Sequence, residues 1–189
     1  MFKRVAIIGD GAMGTVLAML LCEKQVAVKM WGYDRRQLEQ IKQAGENKKF
    51  FPGYNLPGSL IFESADEQIM TGAEVVVSAV PCQFMRRVWE RLKKNFPRQV
   101  PVVSVTKGIE NDSLLCPTEI ISQVLGQDTA CAVLSGPTIA DELARKLPAT
   151  ACAASEDQKL AEQRPCGDYA AGNSVRGKTA DVCRPCGTG

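Results

Sequence analysis

Three glycines lie at Gly9, Gly11 and Gly14, with Asp10, Ala12 and Met13 between them. The spacing G-x-G-x-x-G suits a chain that turns sharply after a strand and brings its backbone against a phosphate. The first glycine permits the turn. The second admits a pyrophosphate to the backbone, and the third lets a helix pack closely on the strand. Gly9, Gly11, Ala12, Met13 and Gly14 are therefore candidate contacts of a dinucleotide, either NAD or NADP. Gly32, Tyr33 and Arg35 form a second group of candidates. NAD-preferring sites usually carry Asp or Glu roughly 20 residues after the glycines, to bind the ribose 2′-hydroxyl. Here Gly32 takes that place, Asp34 comes late, and Arg35 and Arg36 follow. A missing carboxylate beside guanidinium groups tolerates a 2′-phosphate, which inclines the expectation towards NADP. Asp34 is at least as well suited to capping the helix that follows. Lys107 is a cation just past an apolar run, placed to meet a phosphate or a carbonyl oxygen gaining negative charge.

Strands and helices alternate around these residues. Strand-like runs are expected at 4–8, 26–31, 60–63, 73–80, 100–105, 131–134 and 149–154. Helical patterns cover 12–24, 35–44, 84–95, 118–125 and 138–146. In the helix at 84–95, Phe84, Val88, Leu92 and Phe96 recur at four-residue spacing. Residues 46–59 read as a loop with little regular structure. Alternation of this kind indicates an α/β protein of the Rossmann type, with a doubly wound, mainly parallel sheet. The apolar run 75–80 fits a strand covered on both faces. In such sheets the ligand crevice lies beyond the carboxyl ends of the strands, where the glycine turn and Lys107 both fall.

Composition narrows the alternatives. The chain has 189 residues, 45% hydrophobic and 23% charged, with a formal net charge of +2. That is enough for one good domain. No long basic run argues for nucleic acid as a partner. No apolar stretch reaches the roughly 18 residues needed to span a bilayer, and no secretory signal opens the chain. A cytoplasmic location is expected. The sequence contains no histidine, which excludes a Ser-His-Asp triad and a His-ligated metal within this chain. Cys22, Cys82, Cys116, Cys131 and Cys152 stand singly and read as small buried hydrophobes.

Four further segments are similar to the N-terminal part of bacterial NAD(P)-dependent glycerol-3-phosphate dehydrogenase. They are Asn47-Lys48-Lys49-Phe50-Phe51-Pro52-Gly53 with Leu56-Pro57, Val80-Pro81-Cys82-Gln83-Phe84-Met85-Arg86, Ser104-Val105-Thr106-Lys107-Gly108-Ile109-Glu110, and Leu134-Ser135-Gly136-Pro137-Thr138-Ile139-Ala140-Asp141-Glu142. With the glycine turn, the resemblance covers residues 4–163. It implies a nicotinamide-dependent oxidoreductase that interconverts glycerone phosphate and glycerol 3-phosphate. It implies that Lys107 touches both cofactor and substrate, that Gly136 and Thr138 help to hold the substrate, and that Ala140 lies against the cofactor. Pro81 ends a strand where the cofactor would cross. Phe50 and Phe84 either wall the cofactor pocket or belong to the core. Thr138 either caps the helix after it or gives its hydroxyl to a substrate oxygen. Arg86 either meets phosphate or makes a salt bridge on the helix surface, the latter being favoured.

The resemblance implies a following helical domain whose Gly-Gly-Ala-Leu-Lys-Asn motif carries the proton-accepting lysine. That motif is not found here. The chain therefore reads as a truncated member that keeps mainly NAD(P) binding, with little or no turnover. Exposure of the face that would meet the helical domain favours homo-oligomers of no fixed size. Residues 164–189 are rich in Cys, Gly and Arg, lack periodicity and are expected to have no packed structure. Out-of-frame sequence explains them best. A functional appendage is a second reading, and a metal site from Cys166, Cys183 and Cys186 a third, disfavoured because structural zinc normally takes four ligands. Two other functions compete with the dehydrogenase. One is a non-catalytic dinucleotide-binding module. The other is a different 6-phosphogluconate dehydrogenase-like enzyme such as a ketopantoate reductase.

Overall fold

Apolar β-branched runs form the strands, and the stretches between them fold back as helices on both faces of one sheet. The computed structural model describes residues 2–157, 160 and 176–177. In chain order they form β1 (Arg4–Ile8), α1 (Ala12–Glu23), β2 (Ala27–Trp31), α2 (Arg35–Ala44), β3 (Glu46–Asn47), β4 (Phe51–Asn55), β5 (Ile61–Phe62) and β6 (Val75–Ser78). There follow α3 (Cys82–Leu92), β7 (Val102–Ser104), α4 (Pro117–Leu125), β8 (Cys131–Ser135), α5 (Ala140–Ala144), β9 (Cys152–Ser155) and β10 (Arg176–Gly177).

The main sheet runs β10-β9-β8-β7-β6-β1-β2-β5. Every neighbouring pair is parallel except β8 with β9. From β1 the chain first builds outward through β2 to β5, then returns to the other side of β1 with β6. The winding direction thus reverses between β1 and β6, and a ligand crevice opens at such a switch point.

Alternate residues of the strands serve two cores. Val5, Ile7, Val75, Val77 and Val103 pack with Leu17 and Leu21 of α1 and Leu38 of α2. Ala6, Ile8, Val76 and Val102 pack on the other side with Met85, Val88, Trp89 and Leu92 of α3 and Ile120 and Ile121 of α4. The central strands bury both faces, so they need no polar alternation. Trp89 Nε1 donates to Ser78 Oγ at 3.2 Å inside this second core. That satisfies two polar groups that burial would otherwise penalise.

Three details differ from the sequence expectation. Residues 46–59 contain an antiparallel hairpin of β3 and β4. Its Phe51 ring stacks on Tyr54 at 4.5 Å and packs with Val16, Leu20 and Leu143. The helix expected at 84–95 begins two residues earlier, and its inner face is Cys82, Met85, Val88, Trp89 and Leu92. Phe84 is 62% exposed, because positions three and four apart from Cys82 point inward and Phe84 does not. Among the single cysteines, Cys22 and Cys82 are buried, but Cys152 is exposed. Of residues 164–189, only Arg176–Gly177 are described, lying parallel to β9. The cysteines at 166, 183 and 186 lie outside the described residues. No helix among the described residues is long and apolar enough to cross a membrane.

One polar knot braces the outer half of the sheet. Asp66 accepts from Trp31 Nε1 at 3.0 Å and from Arg91 Nε and Nη2 at 2.7 and 2.8 Å. Burial pushes the Asp66 carboxyl up, but the hydrogen bonds from Arg91 and Trp31, with the Arg91 charge, outweigh it and hold the carboxyl below its usual range. A depressed carboxyl stabilises the fold above its unfolded pKa of about 3.9, and loses that contribution as pH falls through the folded value. Asp66→Asn should cost about 1–3 kcal/mol at neutral pH. In denaturant melts, the gap between wild type and variant should close as the pH is taken below about 4.

Candidate functional site

The turn after β1 is set by backbone contacts. Gly9 has φ +119°, and a Cβ there would sit 2.6 Å from the Ala79 carbonyl oxygen at the end of β6. A Cβ on Gly14 would overlap the Gly9 carbonyl oxygen. Gly11 is different, since nothing lies within 4 Å of the place its Cβ would take. Two of the three glycines thus close the turn, and the third leaves open space. Gly11 is also the N-cap of α1, with no side-chain cap and no acidic residue in the first turn. The first N–H groups of the helix and its positive dipole end face that space. Pro81 caps α3, again without a side-chain cap.

Asn47 holds this turn from the side. It is fully buried and donates from Nδ2 to the Asp10 carbonyl at 2.7 Å and to Thr15 Oγ1 at 2.8 Å. Its Oδ1 accepts from the Phe50 N–H at 3.2 Å. Asn47 was part of a resemblance motif but had no role assigned from sequence. Only the fold shows that β3 crosses the glycine turn. Phe50 is 43% exposed with Lys49 Nζ 4.8 Å from its ring centre. Neither Phe50 nor Phe84 is core, so that alternative falls for both.

At the end of β2, Gly32 is buried, and a Cβ there would lie 2.8 Å from the Asp10 carboxylate. Burial pushes the Asp10 carboxyl up, opposed by its own backbone N–H and the Lys49 charge and reinforced by Asp34. Asp34 caps α2, accepting from the N–H groups of Arg36 and Gln37. Tyr33 is 44% exposed. The guanidinium groups of Arg91 and Arg87 lie 5.1 and 5.5 Å from its ring centre. Arg35 is exposed on the first turn of α2.

Lys107 sits in an exposed loop after β7. The loop is clamped to α3. Arg86 makes a two-pronged contact to Glu110, and Gln83 donates to the Ile109 carbonyl and accepts from the Asn111 N–H. Hydrogen bonds from Arg86 and Ser113 hold the Glu110 carboxyl below its usual range. Arg86 is thereby engaged with protein. Lys107 Nζ donates to the Thr138 carbonyl at 3.2 Å, joining the loops after β7 and β8. Gly136 has no room for a side chain, because the Thr150 carbonyl and the Ala151 backbone occupy it. Thr138 does not cap the next helix. Ile139 is the N-cap of α5, and the Thr138 hydroxyl turns back to the Gly136 carbonyl at 3.4 Å. Ala12, Met13 and Ala140 meet in one apolar cluster beneath the hairpin. No group of three or more His, Cys, Asp or Glu fit for a metal occurs among the described residues.

The reversed winding, the open glycine and the uncapped helix end define a Rossmann-type dinucleotide-binding domain. Residues 4–161 match the family model described as the N-terminus of NAD-dependent glycerol-3-phosphate dehydrogenase, and the chain belongs to that family. A glycerol-3-phosphate dehydrogenase [NAD(P)+] of Bacillus velezensis is 35% identical over 162 residues, 85% of this chain and 47% of the relative. The glycosomal NAD(+) enzyme of Trypanosoma brucei brucei is 36% identical over 166 residues, again 85% of this chain and 47% of the relative. The crystal structure of glycerol-3-phosphate dehydrogenase from Coxiella burnetii superposes with a TM-score of 0.83 at 27% identity, covering 95% of this chain and 54% of that one. The chain spans about half the length of these proteins.

The glycines should separate in a stability test. Gly14→Ala should lower the melting temperature, at a cost of about 1–3 kcal/mol for a contact that cannot relax without moving α1. Gly11→Ala should melt with the wild type, since its Cβ meets only open space.

Proposed function

We propose that this chain is the cofactor-binding part of a glycerol-3-phosphate dehydrogenase. In this reading it holds NAD(H) or NADP(H) across the carboxyl ends of β1, β2 and β6. The observation that carries it is the contrast within the glycine turn. Gly9 and Gly14 are shut in by backbone, while Gly11 leaves open space at the bare N-terminus of α1. Free N–H groups at a helix start are a ready site for a pyrophosphate. The ribose of the adenosine half then falls beside Gly32 and Tyr33, and Ala12, Met13, Pro81 and Ala140 border the rest of the path.

When bound, the nicotinamide supplies the hydride that converts glycerone phosphate to sn-glycerol 3-phosphate. The protein's part is to orient the two molecules and to stabilise charge on the carbonyl oxygen. Lys107 is suited to this, since its ammonium group bridges two loops at the crevice and is held in place by the clamp on α3. Gly136 and Thr138 belong to the substrate side of that junction. A cytoplasmic location and self-association complete the proposal. Light scattering tests the second, with a monodisperse monomer counting against it.

Gly11→Val should weaken dinucleotide binding by about ten-fold or more, because the side chain fills the space the pyrophosphate needs, with a thermal melt showing that the variant is folded. Calorimetric titration with NADH reads this directly, and unchanged affinity would refute the placement. In an enzyme carrying these residues and their family's remaining half, Lys107→Met should lower glycerone phosphate reduction by about 10²–10³. NADH affinity should change only several-fold.

A further inference from the structure

We propose that Asp10 sets the choice between the two dinucleotides at this site, accepting a hydrogen bond from the ribose 2′-hydroxyl of NAD(H) and repelling the 2′-phosphate of NADP(H). The proposal rests on the dinucleotide reading above and reverses the inclination towards NADP drawn from the sequence. In the usual arrangement the ribose-binding carboxylate stands at the end of the second strand. Here that position is Gly32, and its missing side chain is replaced in space. The Asp10 carboxylate carbon and one of its oxygens lie 2.8 Å from where the Gly32 Cβ would be. A carboxylate therefore occupies the usual place but is delivered from the glycine turn. Gly32 leaves room for it, because a larger residue there would have to turn the Asp10 side chain aside.

Asp34, another carboxylate near this corner, is already engaged. It is turned to the backbone N–H groups of α2 as its cap. One arginine near this corner is also engaged. Arg91 is paired with Asp66 at 2.7 Å, and it donates to the Tyr33 carbonyl. Lys49 and Asp34 are the charges that act on Asp10, with opposite signs. The Asp10 backbone is anchored by Asn47 at 2.7 Å, so the carboxylate is presented from a fixed turn. A fixed carboxylate beside the 2′ position strengthens binding of a hydroxyl and opposes a dianionic phosphate.

The test is titration of the purified chain with NADH and NADPH separately, for wild type, Asp10→Asn and Asp10→Ala. Thermal melts confirm that each variant is folded. Wild type should bind NADH at least about ten-fold more tightly than NADPH. Asp10→Asn keeps the shape and removes the charge, and should lose most of that ratio, mainly by tighter NADPH binding. Asp10→Ala should lose the ratio as well, mainly by weaker NADH binding. A ratio unmoved in both variants, or a wild type that prefers NADPH, would overturn the assignment of Asp10 while leaving dinucleotide binding intact. Binding of neither nucleotide by wild type would overturn the proposed function, and the role of Asp10 with it.

Discussion

The structure depends on how closely α1 can approach the carboxyl ends of β1 and β6. Helix and strand backbones meet at Gly9, Gly14 and Ala79 with no room for a side chain between them. The contact fixes the direction of α1. Its N-terminus then stands over the switch point, and its Val16 and Leu20 face lies against the hairpin and α5. A helix displaced by even one methyl group would point its free N–H groups elsewhere. It would also open the packing of Leu17 and Leu21 on the sheet.

Around that contact, polar side chains act as fasteners between segments distant in sequence. Asn47 ties the hairpin to the glycine turn, Asp66 ties β2 to α3, and Arg86 with Gln83 ties the Lys107 loop to α3. Those of Asn47, Asp66 and Arg86 are partly or fully sheltered from water, where an unmade hydrogen bond costs more than a made one gains. These fasteners give the site definite geometry although its residues come from loops. Tyr54 adds one more, donating to Asp141 at 2.6 Å and joining the hairpin to α5.

Charge at the adenosine end is arranged by pairing. Arg35 and Arg36, which follow β2, suggest tolerance of a 2′-phosphate when read along the chain. In space, Arg91 of α3 is paired with Asp66. A carboxylate from the glycine turn fills the gap above Gly32. The electrostatic character of the corner follows from these partners, which a count of basic residues does not show.

The sequence alone determined the α/β class, the order of the elements and the place of the glycine turn, because hydrophobic period and glycine spacing are local properties. Residues 35–44 illustrate this: the helix expected there is the one observed, with Asp34 as its cap. Four motifs in order were enough to indicate the family, since their order and spacing can be read directly along the chain. Only the tertiary structure decided which side of α3 is buried, that residues 46–59 hold a hairpin, that Asn47 braces the glycine turn, and that the Asp10 carboxylate lies beside Gly32. The reason is physical. The inner face of Phe84's helix is chosen by the sheet it lands on, and the surroundings of Asp10 are chosen by β2 and β3 arriving from elsewhere in the chain. Gly32 looked like the absence of a carboxylate, and the fold places one there.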